Sequence, residues 1–176
     1  KQRGFPLTVA VDKVAASGGY LMACVADRLI AAPFAIIGSI GVLAQLPNFH
    51  RLLEEKGVDF EQVTAGRYKR TLTVFGKNTD EGREKLRQEV EDVHELFKAE
   101  IARYRPQVDL ERVATGEHWH GIRALELKLV DELRTSDDVL LEAAKQRDLY
   151  HLAYKRRRAL SERVLGGVES LLERLG

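Results

Sequence analysis

Short apolar runs separated by small and polar residues make up the first part of the chain. The runs at 7–11, 28–32 and 35–42 are rich in Val, Ile, Leu and Ala, which is typical of strands buried on both faces of a parallel sheet. Between the first two runs, the small residues and paired glycines of 12–19 predict a tight turn, and 20–26 predict a short helix. This succession of strand, turn, helix and strand predicts an α/β fold.

Helical spacing replaces this pattern in the second half of the chain. Apolar residues recur every three or four positions between 79 and 105, which predicts a long amphipathic helix that ends before Pro106. Similar spacing over shorter stretches predicts further helices at 48–56, 110–114, 122–127 and 136–147. Residues 60–64 and 129–131 are predicted to be strands, and the glycine-bounded segment 116–121 is predicted to be a loop.

The last part of the chain, residues 148–176, differs from the rest in composition. Four consecutive basic residues at 155–158 precede leucines and valines at helical spacing, which predicts a basic amphipathic helix. Such helices bind anionic lipid in some proteins and pack on a neighbouring subunit in others, and the sequence leaves both interpretations open. We therefore expect a main domain at 1–147 and a helical tail at 148–176.

Composition and charge exclude several classes of function. The 176 residues carry a formal net charge of +1, which argues against a nucleic-acid-binding protein. The single cysteine excludes an intramolecular disulfide and a thiolate zinc cluster, and the pair His118 and His120 has no further ligand at a recognised spacing. No phosphate-binding loop or dinucleotide fingerprint occurs, so we expect neither a metal nor another cofactor. No apolar run reaches the length of a membrane helix, and we expect this stretch of the protein to be soluble.

Ser17 is the first candidate for chemistry. It lies between Ala16 and Gly18, after a predicted strand and before a predicted helix, so its hydroxyl would be exposed on a sharp turn beside backbone N–H groups. Such donors can stabilise an oxyanion, which favours a nucleophilic role. A serine in this place can also cap the helix, and on local sequence alone the cap is the more common role.

A nucleophilic serine needs a base, and two kinds of residue compete for this role. None of the five histidines lies in a glycine- or strand-bounded segment comparable with that of Ser17, and His94 falls on the polar side of the long helix. A lysine can replace histidine when burial removes its charge. Lys69 is the candidate, because it follows Gly66 in a short non-helical segment after a predicted strand. A surface lysine beside Arg70 fits the same pattern.

Four segments of the chain resemble, in the same order, the signature segments of the signal peptide peptidase A family of Ser-Lys peptidases, most closely its SohB branch. They lie at 12–20, 38–42, 64–70 and 116–133. The first contains Ser17, the second Ser39, the third Lys69 and the fourth Trp119. Any one of these segments alone would be weak evidence, but four in the right order make the resemblance specific.

The resemblance implies a crotonase/ClpP-like fold of stacked β-β-α units, with the N-terminal part of that fold outside this sequence. Residues 1–147 would then be the C-terminal part of the catalytic domain. The family's mechanism implies that Ser17 attacks a peptide carbonyl and that Lys69 is the general base. The N–H of Gly18 would be one oxyanion donor, and the hydroxyl of Ser39 would hold the lysine.

The same resemblance implies a substrate, a partner and a location. Gly38, Ile40, Gly41 and Val42 would line the cleft, where an extended peptide with small or apolar side chains pairs with the strand by β-augmentation. Remnant signal peptides are substrates of this kind. Family members are homo-oligomers anchored in the bacterial inner membrane, with an extracytoplasmic (periplasmic) catalytic domain, so we expect a membrane anchor upstream of this sequence.

Two departures from the family's pattern change these expectations. The family carries a Ser-Pro-Gly-Gly segment that completes the oxyanion hole upstream of the nucleophile, and this sequence contains none. Because losing one such donor costs about 100- to 1000-fold in rate, we expect the chain alone to be weakly active or inactive. Lys128 stands where the family usually has a glycine that ends a helix, which predicts a strained or altered turn.

Two other functions stay open from the sequence. A crotonase-type acyl-CoA enzyme would share the fold, but Asp12 is the only carboxylate near the Ser17 turn and no basic nucleotide site is evident. A non-catalytic oligomerisation or binding module would use the helix at 79–105 and the apolar stripe of the tail for subunit contacts. A large separation of the Ser17 hydroxyl and the Lys69 amine would favour that module.

Overall fold

The computed structural model describes residues 4–153 and alternates short strands with helices, which confirms the predicted α/β class. The strands are β1 (Thr8–Val11), β2 (Val14–Ala16), β3 (Arg28–Ala31), β4 (Ile36–Gly38), β5 (His118–His120) and β6 (Glu132–Leu133). The helices are α1 (Gly18–Ala23), α2 (His50–Glu55), α3 (Asp80–Tyr104), α4 (Leu110–Val113), α5 (Gly121–Glu126) and α6 (Ser136–Ala144). The predicted helices are therefore present to within a few residues, with α3 as the long amphipathic helix.

The strands of this described part form two three-stranded sheets, in the orders β1-β3-β6 and β2-β4-β5. All pairs in the first sheet are parallel, and in the second β2 and β4 are parallel whereas β5 is antiparallel to β4. The first four strands alternate between the sheets: after β1 and β2, helix α1 leads to β3 beside β1 and then to β4 beside β2. This alternation places the ends of β2 and β4 side by side.

The hydrophobic core draws on both sheets and on α1, α3 and α5. Its fully buried side chains include Tyr20, Leu29, Ile37, Ile101 and Leu129. The hydroxyl of Tyr20 donates to the carbonyl of Leu129 at 2.8 Å, so the buried phenol has a hydrogen-bond partner. Helix α1, which begins directly after Ser17, is thereby anchored in the interior.

An ion pair between the buried Arg105 and the partly exposed Asp131 joins the end of α3 to the first sheet. Arg105, only 3% exposed, donates two hydrogen bonds of 2.7 and 2.8 Å to the carboxylate of Asp131. The same carboxylate accepts from the backbone N–H of Leu29 at 2.7 Å. Burial by itself raises the pKa of Asp131, but the hydrogen bonds from Arg105 and Leu29 outweigh it, so this pKa lies below its usual value.

Two of the strands in the second sheet contradict the local predictions. The predicted turn at 12–19 contains β2, and the predicted loop at 116–121 contains β5. Each has only three residues, of which one is exposed in β2 and two in β5, so neither shows the longer buried apolar run by which strands are recognised in a sequence. Pairing with β4, rather than local propensity, makes these segments strands.

Three predicted strands have other boundaries or are absent. The apolar run 35–42 is a strand only at Ile36–Gly38, because Gly38 and Ser39 adopt positive φ angles of 103° and 51° and turn the chain. Residues 60–64 are irregular. The predicted strand at 129–131 lies just before β6, and its apolar residues are buried in the core without belonging to a sheet.

The chain divides by its contacts into two compact units, residues 1–141 and 142–176. The first unit contains both sheets and the residues named above as candidates for chemistry. The predicted amphipathic helix of the tail lies outside the described residues. No helix within residues 4–153 is both long and apolar enough to cross a bilayer.

Candidate active site

Ser17 lies at a sharp bend between β2 and α1. Its backbone angles, φ 51° and ψ −122°, belong to a region that residues with a side chain rarely adopt. Two backbone hydrogen bonds hold the bend: the N–H of Ser17 donates to the carbonyl of Gly38 at 2.7 Å, and the carbonyl of Ser17 accepts from Leu21 at 3.0 Å. The flanking strand and helix together with these bonds keep Ser17 in its strained conformation.

The side chain of Ser17 makes no capping hydrogen bond to α1, although Ser17 occupies the N-cap position. The interpretation of Ser17 as a helix cap is therefore wrong. A strained serine whose hydroxyl does not serve its helix is typical of a nucleophile displayed between a strand and a helix. A Cβ added to Gly18 or Gly19 would meet nothing within 4 Å, so space is open beside the first turn of α1.

A second strained turn follows β4. Ser39 has a φ of 51°, and its N–H donates to the carbonyl of Glu117 at 2.7 Å, while its own carbonyl accepts from Gly41 at 3.0 Å. The preceding Gly38 has a φ of 103°, and a Cβ there would lie 2.9 Å from the ring of Trp119. Glycine is therefore required between this ring and the turn.

Strand register brings the two turns together. Strands β2 and β4 are parallel with Ala16 opposite Gly38, so Ser17 and Ser39 leave the sheet at the same edge. Strand β5 runs in the opposite direction with His118 opposite Gly38, so the chain just before β5 reaches that edge as well. The carboxyl ends of parallel strands are a common place for binding sites in α/β proteins.

The two turns open into a cavity of about 700 Å³. The turns contribute Ser17, Gly18, Ser39 and Gly41 to its lining, and the segment before β5 contributes Gly116. The remaining lining residues come from α1, the segment after β4 and α3, and they are Leu21, Val42, Leu43, Val93, Leu96, Phe97 and Glu100. This volume and the mainly apolar lining are typical of a site that binds an extended apolar segment or a small molecule.

The predicted cleft residues occupy different places in the structure. Gly41 and Val42 line the cavity with Ser17, Gly18 and Ser39. By contrast, the side chain of Ile40 is fully buried in the core, and its carbonyl accepts from Gly116 at 3.0 Å. Gly38 lies beneath Trp119, and its carbonyl is the partner of the Ser17 N–H. Neither Gly38 nor Ile40 is part of the cavity lining.

Lys69 does not lie in the cavity that contains Ser17. It is exposed, and it lines a separate depression of about 550 Å³ formed by residues 60–70. Its backbone N–H donates to the carbonyl of Gly66 at 3.1 Å, and Gly66 has a φ of 96°, so the segment turns just before the lysine. The described single chain therefore holds the two residues of the expected dyad in different depressions.

The segment that carries Lys69 is attached to the first turn of α3. A Cβ on Gly82 would lie only 2.2 Å from the carbonyl oxygen of Thr71, so the two backbones are in close contact there. Arg67 forms an ion pair of 2.7 Å with Glu81 in the same turn. The side chain of Thr79 accepts from the N–H of Gly82 at 3.0 Å and caps the helix at this point.

An aromatic cluster supports the same segment from the side of α2. The rings of Phe49 and Phe60 lie 6.3 and 5.8 Å from the ring of Phe75. Asn48 donates from its side-chain amide to the carbonyls of Thr73 and Gly76 at 2.8 and 3.0 Å. These contacts hold the segment from α2 to α3 together, although all three rings are exposed.

The histidines, all within the described residues, do not line the cavity around Ser17. His120 contacts the carbonyl of Phe34 through Nδ1 at 3.2 Å. The Nε2 atom of His94 is buried without a hydrogen-bond partner, so the placement of His94 on the polar side of the long helix is wrong. Within residues 4–153, no group of His, Cys, Asp or Glu side chains is arranged to hold a metal ion.

The apolar surface of α3 is the part of the site that sequence reasoning missed. Val93, Leu96 and Phe97 line the cavity, and Glu100 lies one turn further along the same helix. The apolar stripe of this helix was interpreted as the face of an amphipathic helix and, in one alternative, as a surface for subunit contacts, yet Val93 and Leu96 are exposed in this chain. The signal available in the sequence was the width of this stripe, which exceeds what one packed face of a helix needs.

The departure at Lys128 has the predicted structural effect. Lys128 has a φ of 60°, which is the left-handed conformation that glycine adopts most easily. Its N–H donates to the carbonyl of Leu125 at 3.0 Å, and its carbonyl accepts from Arg105 at 3.2 Å. The prediction of a strained turn is confirmed, and the buried arginine helps to hold it.

Comparison with known proteins identifies the family of the chain. The model of peptidase family S49 matches residues 1–150. The probable protease SohB of Haemophilus influenzae is 55% identical over 160 residues, which is 91% of this chain and 45% of that protein. The probable protease SohB of Buchnera aphidicola subsp. Acyrthosiphon pisum is 52% identical over 168 residues, which is 96% of this chain and 50% of that protein. A putative protease of Methanocaldococcus jannaschii is 30% identical over 138 residues, which is 77% of this chain and 44% of that protein. The chain therefore spans about half the length of these curated relatives.

Proposed function

We propose, since this chain belongs to peptidase family S49, that it carries the nucleophile of a SohB-type serine endopeptidase and that Ser17 is this nucleophile. The observation that carries the proposal is the strained conformation of Ser17, whose side chain does not cap its helix, at the mouth of a largely apolar cavity of about 700 Å³. Strain that is enforced at one exposed polar residue is characteristic of functional sites.

The proposed reaction is acyl transfer through a Ser-Lys dyad. The hydroxyl oxygen of Ser17 attacks the carbonyl carbon of the scissile peptide bond, and its proton passes to the uncharged amine of Lys69. The N–H of Gly18 donates to the oxyanion that forms. When the C–N bond breaks, the lysine returns the proton to the departing amine, and water then hydrolyses the acyl-serine with the lysine again accepting a proton.

This mechanism requires Lys69 to reach the cavity. Because Lys69 lines another depression in the single chain, either its segment moves or the Lys69 of a second copy enters the site. Ser39 lines the same cavity as Ser17, which supports the proposal that its hydroxyl would hold the incoming amine. Substrate bound over the lysine would exclude water and favour the uncharged amine.

The finer fold assignment is also part of the proposal. A crotonase/ClpP-like arrangement of stacked β-β-α units is supported by the way in which consecutive strands alternate between two sheets around α1. On the resemblance of the sequence we further propose that the whole protein is a homo-oligomer, anchored in the bacterial inner membrane, with its catalytic domain on the periplasmic side. We propose no metal, cofactor or nucleic acid for its reaction.

The proposed substrates are peptides with small or apolar side chains, such as remnants of signal peptides. The apolar cavity lining supports this class, since Leu21, Val42 and Leu43 lie close to the strained turns. Gly41 and Val42 follow the end of β4 in a non-helical conformation, which suits the backbone pairing of an extended peptide.

Two separate substitutions in the full-length protein test the dyad. Ser17→Ala and Lys69→Ala should each lower kcat/KM for an apolar peptide by at least about 1000-fold, because each removes a group that makes or breaks a bond. Both variants should keep the melting temperature of the wild type, since both side chains are at the surface of the cavity or exposed. Arg70→Ala changes the exposed neighbour of Lys69 and should cleave the peptide at the wild-type rate. Cleavage at that rate by Lys69→Ala would contradict the proposed dyad.

A non-catalytic oligomerisation module is the second candidate, favoured by the separate positions of Ser17 and Lys69. A serine-reactive phosphonate discriminates between the two functions. A peptidase should be labelled stoichiometrically at Ser17 when full-length protein is used. A non-catalytic module should show no labelling, and its Ser17→Ala and Lys69→Ala variants should assemble as the wild type does.

A further inference from the structure

Glu100 is the one ionisable side chain among the described residues that line the Ser17 cavity. It forms an ion pair with Arg103, but the distance of 3.8 Å is long and the arginine side chain is 70% exposed. Exposed pairs of this kind are screened by water and neutralise each other only weakly. The carboxylate of Glu100 therefore gives the cavity a negative end.

The position of Glu100 relative to Ser17 follows from α1. Ser17 is the N-cap of α1 and Cys24 is its C-cap. Glu100 lines the same cavity as Leu21, which lies in the middle of α1, and its negative charge adds to the effect by which burial raises the pKa of the Cys24 thiol. Seven residues of helix span about 10 Å. The cavity thus extends from a hydroxyl at one end of α1 towards a carboxylate near its other end.

Apolar side chains line the space between these two groups. Leu21 of α1 and Val93, Leu96 and Phe97 of α3 are in the lining, and Val93 and Leu96 are exposed in the chain. A small side chain near the Ser17 hydroxyl would leave this apolar surface and the carboxylate uncovered. A side chain with a long methylene stem and a cationic tip covers both, and Lys and Arg are the side chains with this chemistry.

We propose that Glu100 makes the cleft selective for peptides that carry Lys or Arg next to their apolar segment, close to the scissile bond. This inference rests on the proposed function, because it assigns a substrate class to the same site. The methylene stem packs against Leu96 and Phe97, and the cationic tip pairs with Glu100. The substrates are then amphipathic peptides in which a basic residue adjoins small or apolar ones, rather than peptides that are apolar throughout.

Paired peptides test the proposal in the full-length protein. Each pair has the same apolar sequence and differs only in having lysine or norleucine at one of the four positions before the scissile bond. At one position, kcat/KM for the lysine peptide should exceed that for the norleucine peptide by about tenfold, the usual scale of a charge-assisted contact. Glu100→Gln should remove this preference, so that the ratio of kcat/KM for the lysine peptide to kcat/KM for the norleucine peptide falls to about one.

Two further variants make the result specific to Glu100. Glu91→Gln changes an exposed carboxylate on the opposite face of α3 that does not line the cavity, and it should keep the preference for lysine. Glu100→Lys should reverse the preference, so that a peptide with glutamate at the sensitive position is cleaved faster than its lysine counterpart. Equal cleavage of lysine and norleucine peptides at all four positions would overturn the inference.

Binding measurements separate this inference from the proposed reaction. Labelling by a phosphonate with a norleucine side chain measures the reactivity of the Ser17 hydroxyl. The affinity of Ser17→Ala protein for labelled lysine and norleucine peptides measures binding in the cleft. Normal labelling with no lysine preference in cleavage or binding would overturn the role of Glu100 and leave the peptidase intact. If the phosphonate does not label Ser17 but lysine peptides still bind more tightly in a way that depends on Glu100, the proposed peptidase activity is overturned and the recognition of basic side chains by Glu100 is supported.

Discussion

At the scale of single residues, backbone strain marks the candidate site. Within residues 4–153, a positive φ occurs at three residues that carry a side chain, and two of them, Ser17 and Ser39, line the same cavity. Each such conformation costs about 1–3 kcal/mol and persists only where its surroundings enforce it. The hydrogen bonds to Gly38 and Glu117 do so, because they fix the two turns against the sheet edge.

The buried pair of Arg105 and Asp131 gives a prediction about stability. Asp131→Asn should lower the free energy of unfolding of the intact protein by about 2 kcal/mol at neutral pH, because Arg105 would keep its charge in the interior without a full counter-charge. This value is set below the range of about 3–5 kcal/mol for fully buried pairs because the Asp131 side chain is 34% exposed.

The effect of this substitution should depend on pH. The pKa of Asp131 in the folded chain lies below its ordinary value of 3.8, so the charged carboxylate favours folding above about pH 4, and this contribution is lost as the pH falls through the folded value. Urea denaturation should give a constant difference between wild type and variant from neutral pH to about pH 5 and a shrinking one below.

A neighbouring carboxylate supplies the control for Asp131. Glu132 pairs with Arg28 and, at 3.5 Å, with Arg134, and because its own side chain is 37% exposed, Glu132→Gln should change the free energy of unfolding by less than about 1 kcal/mol. An Asp131→Asn variant that loses no more stability than this control would contradict the assigned role of the buried pair.

At the scale of elements, α3 serves the site in two ways. Its middle forms part of the cavity wall, and its first turn holds the segment that carries Lys69. The contact of Gly82 with the carbonyl of Thr71 and the ion pair of Arg67 with Glu81 link this segment to the helix. The helix therefore connects the position of the proposed base to the cavity.

Gly82→Ala tests this connection. Alanine normally favours a helix over glycine by up to about 1 kcal/mol, but here its Cβ would lie 2.2 Å from the Thr71 oxygen, and the segment would have to move. We expect peptide cleavage by the full-length protein to fall at least about tenfold while the helix content stays unchanged. Hydrogen exchange should show faster exchange in residues 60–79.

The adjacent exposed residue is the natural comparison for Gly82. Arg83→Ala changes a side chain that pairs only with Asp80 at the surface, so activity and exchange should stay close to wild type. Unchanged exchange in residues 60–79 of the Gly82→Ala protein would mean that this contact does not hold the segment.

How far the fold could be predicted depended on whether the signal was local. The long helix α3 was predicted because its spacing extends over many turns, and the Ser17 turn because small residues and glycines adjoin an apolar run. Strand β5 was not predicted, because His118-Trp119-His120 becomes a strand only through pairing with β4. The role of Glu100 was equally hidden, since it depends on how α3 is rotated against α1.

At the scale of the whole molecule, one described chain does not assemble the proposed dyad. The segment between β4 and α3 also exposes apolar side chains, among them Leu52, Val58, Tyr68 and Val63, the last of which is 99% exposed. Exposed apolar residues concentrated in one segment are typical of surfaces that are covered in an assembly. This supports the proposed homo-oligomer and a dyad completed between copies.

Mixing two inactive variants tests this arrangement. Full-length Ser17→Ala and Lys69→Ala proteins, co-expressed in equal amounts so that their copies mix, should recover about a quarter of the total wild-type activity if a dyad forms between copies. Recovery is expected because some sites then receive an intact serine from one copy and an intact lysine from another. Peptide hydrolysis by the mixed oligomer is the measurement.

The control is the double variant Ser17→Ala/Lys69→Ala co-expressed with wild type. Its mixed sites should show no gain beyond the wild-type copies present. Activity that stays at background in the mixture of single variants would place both residues of each dyad in the same chain, and Lys69 would then have to move with its segment.

The buried thiol of Cys24 makes the opening of α1 measurable. This thiol is the sole one in the sequence, it is inaccessible to water, and it donates to the carbonyl of Leu21 at 3.2 Å. An alkylating reagent can reach it only when α1 lifts away from the interior. The rate of alkylation therefore measures how often the helix that follows Ser17 opens, and no label has to be introduced for this measurement.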